Sequence, residues 1–167
     1  MPKIKVHAPT REFGLVVRSA VSRAWDVSCS LFIAQILPGP EAVDALRPLS
    51  HVACSHQIVA PALVLIGAGL TIWGERIFGI CREGRAVVSL ACLGTGKDLI
   101  RRACSVAVHE AGHLLDLGHC NGKCAMKPAS SLKDLDKRPL KPCRGCRTSA
   151  TRLSNTTGMT RRTWRSQ

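Results

Sequence analysis

The sequence has 167 residues, with 24 lysines and arginines against 11 acidic residues, which gives a formal net charge of +13. This length suits one domain that buries a core without covalent staples. Nine cysteines are an odd number, which excludes a complete set of internal disulfides. The basic excess indicates either an acidic partner, such as a nucleic acid, or a basic tail on an ordinary surface.

The first part of the chain has the pattern of a strand, a helix and a second strand. Apolar residues alternate over residues 4–8, recur at helical spacing over residues 11–25 and form a strand-like run over residues 29–36. Strand, helix and strand at this spacing predict a parallel crossover and an α/β layer. The N-terminus has no apolar core of signal-peptide length, so we expect a cytoplasmic protein.

The middle of the chain contains a predicted helical region and a long apolar run. Residues 41–59 are predicted as the helical region, which Pro48 must interrupt. The apolar run over residues 62–73 resembles a membrane span in hydropathy, but it is short, contains two glycines and ends at a charged pair. We therefore predict a buried strand and a turn there, with no membrane association.

A hairpin and the central helix follow. Residues 77–81 and 86–93 are apolar and flank a polar turn at Gly84, which is the pattern of a β-hairpin. The next helix is predicted over residues 98–117, and its apolar face leads into a group of histidines. We predict that this helix is the central one, because it carries the chemistry and directly follows the last strand.

The central helix carries the pattern His-Glu-x-x-His. His109 and His113 lie about one turn apart on the same face, so both can bind one metal ion. His119 lies too far along a straight helix to join them, so the chain must bend, and Gly118 could allow it. Three neutral imidazoles suit zinc and leave a fourth position for water. The pattern predicts hydrolysis by a zinc-activated water with Glu110 as general base and acid.

Four of the cysteines form two pairs, Cys120 with Cys124 and Cys143 with Cys146, separated by a gap of 18 residues. Two pairs at this spacing are the ligand pattern of a closed tetrahedral zinc site, and thiolates fit a reducing compartment. Such a site would hold together a segment with too few apolar residues for a core. It would also anchor the segment that presents His119, because His119 and Cys120 are adjacent.

The motifs between residues 109 and 146 resemble those of the archaemetzincins, a family of metallopeptidases in the metzincin clan. They are His109-Glu110-x-x-His113, His119-Cys120, Cys124-x-Met126 and Cys143-x-x-Cys146. The resemblance implies a compact α/β domain with a twisted mixed sheet packed on the active-site helix. It also implies that Met126 forms a turn beneath the catalytic zinc. A strand near residues 77–80 would pair with an extended peptide through main-chain hydrogen bonds.

The chain departs from the clan's pattern at one position of the bend. The clan has a glycine three residues after the second histidine, and this chain has Asp116. Aspartate is one of the few residues other than glycine that tolerate a left-handed backbone, at a cost of about 1 kcal/mol. We therefore predict the sharp turn at Asp116, with Gly118 able to take part of it.

The domain organisation follows from these motifs. We predict one domain over residues 1–148, in which residues 1–118 form the upper sheet and the active-site helix and residues 119–148 form a lower part stapled by zinc. Residues 149–167 are predicted to be a basic, flexible tail. The residues after Cys146 include five arginines and no acid, so the formal charge without them is +8.

The main functional prediction is a zinc metallopeptidase, either an endopeptidase or an aminopeptidase, that acts on a peptide or protein substrate. It would hold two zinc ions, one catalytic and one structural, and we expect a monomer. The alternative is a zinc-bearing module that binds nucleic acid or protein and retains a vestigial peptidase site. We favour the peptidase over nucleic-acid binding, because much of the basic charge lies in the predicted tail.

Overall fold

The structure is a computed structural model that describes residues 3–33, 43–44 and 58–156. Its elements in chain order are β1 (Lys3–Ala8), α1 (Arg11–Trp25), β2 (Ser28–Ile33), β3 (Val43–Asp44), β4 (Ala62–Ile66), β5 (Leu70–Ile72), β6 (Glu75–Ile77), β7 (Gly79–Arg82), β8 (Arg85–Ser89), α2 (Gly96–Leu114), α3 (Leu132–Lys137) and α4 (Arg144–Thr156). The mixed strands and helices confirm the predicted α/β class.

The larger sheet has five strands in the order β2-β1-β4-β8-β7. The first four run parallel, and β7 runs antiparallel to β8 at one edge. The predicted crossover is confirmed, because α1 joins the parallel neighbours β1 and β2. α1 begins after Thr10, whose hydroxyl oxygen accepts a hydrogen bond from the backbone N–H of Phe13 at 3.4 Å. The hairpin of β7 and β8 is also confirmed, with its turn at Glu83 and Gly84.

Strand β4 is buried on both faces of the sheet. Leu63 and Leu65 belong to the core that α1 and α2 share, whereas Val64 and Ile66 pack with Leu70 of the small sheet β3-β5-β6. A strand covered on both faces is apolar at every position, which explains the continuous apolar run. The predicted buried strand and turn are confirmed. Within the described part of the chain, every helix is too short or too polar for a membrane crossing.

Helix α2 packs closely against the end of α1, at Trp25. The Trp25 indole Nε1 donates a buried hydrogen bond to the carbonyl oxygen of Val108 at 2.8 Å. A Cβ added at Gly112 would lie 2.8 Å from the Trp25 ring and would overlap the sulfur of Met126. A glycine is therefore required at position 112, because the indole and the methionine leave no room there for a side chain. This packing fixes α2 in position relative to the sheet.

The predicted helix over residues 41–59 is wrong at its described residues. Residues 43–44 form β3 instead, because they pair in parallel with β5, and residues 58–59 are not helical. The rest of that prediction lies outside the described residues, as do residues 34–36 of the predicted second strand.

Helix α4 extends beyond the predicted end of the domain. Residues 149–156, predicted as the start of a flexible tail, instead continue this helix. No glycine or proline interrupts the sequence between Cys146 and Thr156, and Ala150 is buried against the main core. Residues 157–167, the rest of the predicted tail, lie outside the described residues.

Candidate active site

Helix α2 ends at Leu114, earlier than predicted, in a turn that directs the chain toward His119. Asp116 has a φ of 64°, and its N–H donates to the carbonyl oxygen of His113 at 3.0 Å. The N–H of Leu117 donates to the carbonyl oxygen of Gly112 at 3.1 Å. These bonds around a left-handed residue form a Schellman motif, in which glycine is the usual residue. The turn predicted at Asp116 is confirmed, and Gly118 is not left-handed.

We expect Asp116→Ala to lower the free energy of unfolding by about 1 kcal/mol, because alanine lacks the short polar side chain that eases the left-handed conformation. Asp116→Gly should match or exceed the parent, since glycine reaches this conformation without a steric cost. Gly118→Ala is the control, because its backbone is not left-handed and nothing lies within 4 Å of the added Cβ. Denaturant unfolding measures all three, and equal stability of the two Asp116 variants would contradict the expectation.

The three predicted histidines come together after this turn. Their ring centroids lie 4.8 Å apart for His109 and His113, 5.0 Å for His113 and His119, and 5.2 Å for His109 and His119. The Nδ1 atoms of His109 and His113 lie 2.9 Å and 2.8 Å from the carbonyl oxygens of Ala125 and Leu117. Because a carbonyl oxygen only accepts, Nδ1 is the donor in both rings, and each Nε2 keeps its lone pair.

The arrangement of the histidine nitrogens suits a zinc ion. The Nε2 atoms of His109 and His113 lie 3.2 Å apart, and two nitrogen ligands on a tetrahedral zinc lie about 3.3 Å apart. One ligand atom from each of the three histidines lies within 4.8 Å of the others. Burial lowers the pKa of His109 to about 3 and also lowers the pKa of His113. Both rings are therefore neutral, as metal ligands must be.

Glu110 lies beside the histidines and is 5% exposed. A Cβ added at Gly79 would lie 2.9 Å from Glu110 Oε1, so the edge strand β7 passes directly against this carboxylate. Burial raises the pKa of Glu110 to about 8, and the positive charge of Arg138 opposes that rise. A carboxyl group with such a pKa can accept a proton and return it near neutral pH.

Glu110 and the histidines line a cleft of about 810 Å³. Strands β6 and β7 form one wall, and the other wall comes from residues 128–130 together with Leu135 and Arg138. Sequence reasoning missed Arg138 as a cleft residue, because no local pattern separates it from the exposed Lys137 before it. Only contacts with residues far along the chain bury its side chain.

The four predicted cysteines form a second cluster. The sulfurs of Cys120 and Cys143 lie 4.0 Å apart, and all four sulfurs lie within 4.8 Å of one another, close to the spacing of about 3.8 Å that thiolates take around a tetrahedral zinc. The backbone N–H of Cys146 lowers the pKa of Cys143 to about 7, whereas burial raises the pKa of Cys146. Cys124 is fully buried. None of the eight described cysteines forms a disulfide.

A single loop connects the two clusters. The N–H of Cys120 donates to the carbonyl oxygen of Met126 at 3.0 Å, and the N–H of Met126 donates to the sulfur of Cys124 at 3.4 Å. The carbonyl oxygen of Ala125, inside this loop, accepts from the ring of His109. The loop thus contacts both clusters, and the fully buried Met126 packs against the helix that carries the histidine pair.

Comparisons with known proteins relate this chain to a family of peptidases. The model of peptidase family M54 matches residues 75–152. The archaemetzincin of Archaeoglobus fulgidus is 35% identical over 111 residues, which cover 62% of this chain and 69% of that protein. The archaemetzincin of Saccharolobus solfataricus is 38% identical over 122 residues, which cover 66% and 67%.

Solved structures are similar over nearly the whole chain. The crystal structure of archaemetzincin from Methanopyrus kandleri has a TM-score of 0.74 at 24% identity and covers 92% of this chain and 95% of that one. The archaemetzincin of Archaeoglobus fulgidus, solved in complex with malonate, has a TM-score of 0.70 at 22% identity and covers 89% and 99%. At this level of identity the likeness concerns the fold.

Proposed function

Since the chain belongs to the archaemetzincin family of zinc-dependent metallopeptidases, peptidase family M54, we propose that its cleft hydrolyses peptide bonds with one zinc ion held by His109, His113 and His119. The observation that carries this proposal is the convergence of two histidine Nε2 atoms at 3.2 Å beside a buried glutamate. The alternative, a nucleic-acid or protein binding module with a vestigial site, finds no support among these relatives.

Glu110 is the proposed general base and acid. Bound zinc would supply a Lewis acid that polarises the peptide carbonyl and acidifies the attacking water. The Glu110 carboxylate is the group that would accept a proton from the attacking water and return it to the leaving amine. In the described part of the chain the carboxylate has no hydrogen-bond partner, and neither oxygen is fully enclosed. It is therefore free to bond to a water in the cleft.

The edge strand β7 is the proposed docking site for the substrate main chain. It pairs with β8 on one side only, among the described residues, and it lines the cleft. An extended peptide can add to such an edge through main-chain hydrogen bonds. Because Gly79 touches the carboxylate of Glu110, a peptide paired with this strand would pass next to the proposed base.

A second zinc is proposed on Cys120, Cys124, Cys143 and Cys146, with a structural role. Four thiol ligands fill a tetrahedral zinc and leave no position for a substrate. We propose that the domain has an upper part, residues 1–118, and a lower part, residues 119–148. The zinc bound by the four cysteines would hold the lower part together. Two cysteine pairs at zinc-ligand spacing fit a reducing location, for which we propose the cytoplasm. Because one chain supplies both ligand sets, we propose a monomer.

Metal removal tests the proposed function. Stripping zinc with a chelator is expected to lower the hydrolysis of a synthetic peptide library by about 10²-fold or more, because the polarising metal contributes several kcal/mol to the reaction. Restoring zinc should restore cleavage, and adding magnesium should not, because imidazole ligands suit zinc. Mass spectrometry reads the products. Undiminished cleavage by a preparation shown to contain no zinc would contradict the proposal.

A further inference from the structure

Arg138 is a buried cation in the wall of the cleft. It follows α3 directly, is 5% exposed and lines the same cleft as Glu110. Burial lowers its pKa to about 10, so the guanidinium remains charged at neutral pH. Arginine side chains are seldom buried unless a partner offsets the charge. The position of this group therefore calls for a partner.

Two nitrogens of Arg138 are held by residues next to the histidine cluster. Its Nε donates to the hydroxyl oxygen of Ser105 at 2.9 Å, and its Nη1 donates to the carbonyl oxygen of Lys127 at 3.0 Å. Ser105 lies one helical turn before His109, and Lys127 directly follows Met126. The guanidinium is thus fixed between α2 and the loop that contacts both clusters.

Within the described residues, the third nitrogen of Arg138 has no hydrogen-bond partner, and its guanidinium forms no ion pair. Its Nη2 makes no hydrogen bond there and is not fully enclosed. Among the described residues, the arginines with a carboxylate oxygen within 4.0 Å of a guanidinium nitrogen are Arg101 and Arg102, and Arg138 is not one of them. Glu110 and Arg138 influence each other's pKa without forming such a pair. A fixed guanidinium thus faces the cleft with an unused donor.

We propose that Arg138 binds a carboxylate of the peptide substrate in the cleft that it shares with Glu110. This inference rests on the proposed function of the cleft and adds a specificity to it. A guanidinium presents donors in a planar fork that matches a carboxylate, and such bonds are among the stronger ones in proteins. The carboxylate can be the side chain of Asp or Glu or the free C-terminus of a short peptide. In either case Arg138 is the residue that selects it.

Binding to a variant without turnover provides the first test. The zinc-loaded Glu110→Gln protein is titrated with fluorescent hexapeptides of alanine and leucine, each with one Glu or one Gln at a scanned position and with a free or amidated C-terminus. We expect Glu to bind about tenfold or more tightly than Gln at one position, or the free C-terminus to bind tighter than the amide. The first result identifies a side chain as the source and the second identifies the terminus.

Matched variants then assign the preference to Arg138. The ratio compared is the affinity for the peptide with the carboxylate over the affinity for its amide counterpart. Adding Arg138→Gln should bring this ratio close to one. Arg138→Lys should leave a reduced ratio, because lysine keeps the charge but lacks the planar fork of donors. Arg76→Gln is the control, since Arg76 is an exposed arginine of the same cleft, and it should keep the ratio. Zinc content and thermal unfolding report whether each variant folds. A purely structural role of Arg138 would not change the ratio.

Three results would overturn the inference: no preference for a carboxylate in the parent, a preference that survives Arg138→Gln, or an equal loss in Arg76→Gln. The first needs no Arg138 variant, so the test remains decisive even where Arg138→Gln fails to fold. Cleavage of the same peptides by the unmodified zinc-loaded protein separates the two proposals. Selective binding without any cleavage would reject the peptidase function and not the carboxylate site.

Discussion

Replacing Glu110 with Gln is expected to lower peptide hydrolysis by about 10²–10⁴-fold, the usual contribution of a positioned general base. The amide has nearly the same shape as the carboxylate, so the buried site beside Gly79 should keep its packing. It cannot accept a proton from water, however, and cannot return one to the leaving amine. The zinc content should stay unchanged, because the proposed ligands are the histidines. Turnover and metal content are measured on the same preparation.

Glu75→Gln provides the matched control for this substitution. Glu75 lines the same cleft but is exposed on β6, so its replacement removes one negative charge without removing the proposed base. We expect its activity to stay within about threefold of the parent, because exposed charges contribute little. Unchanged turnover in Glu110→Gln would remove this glutamate from the mechanism. An equal loss of turnover in both variants would mean that the negative charge of the cleft, and not proton transfer by Glu110, determines the rate.

The second large effect is expected at the cysteine cluster. Cys143→Ser should abolish zinc binding by the four cysteines and unfold the lower part of the domain. Structural zinc in small domains contributes about 10–16 kcal/mol of apparent binding free energy, comparable to the whole stability of a domain. His109→Ala should lose the other zinc and remain folded, because its helix is anchored by packing on α1 and the sheet.

Metal counting and calorimetry distinguish the two variants. The parent should bind two zinc ions per chain, and His109→Ala one. Cys29→Ser is the control, because Cys29 is a half-buried cysteine outside the cluster, and it should keep two. Retention of full zinc content and thermal stability in Cys143→Ser would reject the structural role of the cluster. A parent that binds a single zinc would reject the two-site proposal itself.

The histidine and cysteine clusters could be predicted because short-range geometry dictates most of each. A helix brings His109 and His113 together whatever surrounds it. The sequence alone leaves two residues for the turn toward His119, because Asp116 and Gly118 both tolerate a bend. Two hydrogen bonds to the last turn of the helix decide in favour of Asp116.

What could not be predicted depends on contacts between distant segments. Arg138 follows a lysine in a polar stretch, and only Ser105 of another helix and the carbonyl of Lys127 make it a buried residue. β3 has two residues and no pattern of its own, and it exists because β5 pairs with it. The helix over residues 149–156 has few apolar positions, so composition indicates a tail. Periodicity carries no information on such partners.

The peptide bond between His119 and Cys120 gives the protein a property that neither cluster has alone. An ion in the histidine cluster and an ion in the cysteine cluster would each fix the loop that both clusters contact, so the two ions would bind cooperatively, each raising the affinity for the other. A half-loaded chain would then be rare, and limited metal would divide a population into fully loaded and empty molecules. Zinc supply would thus change the number of active copies, while the rate of each active copy stays the same.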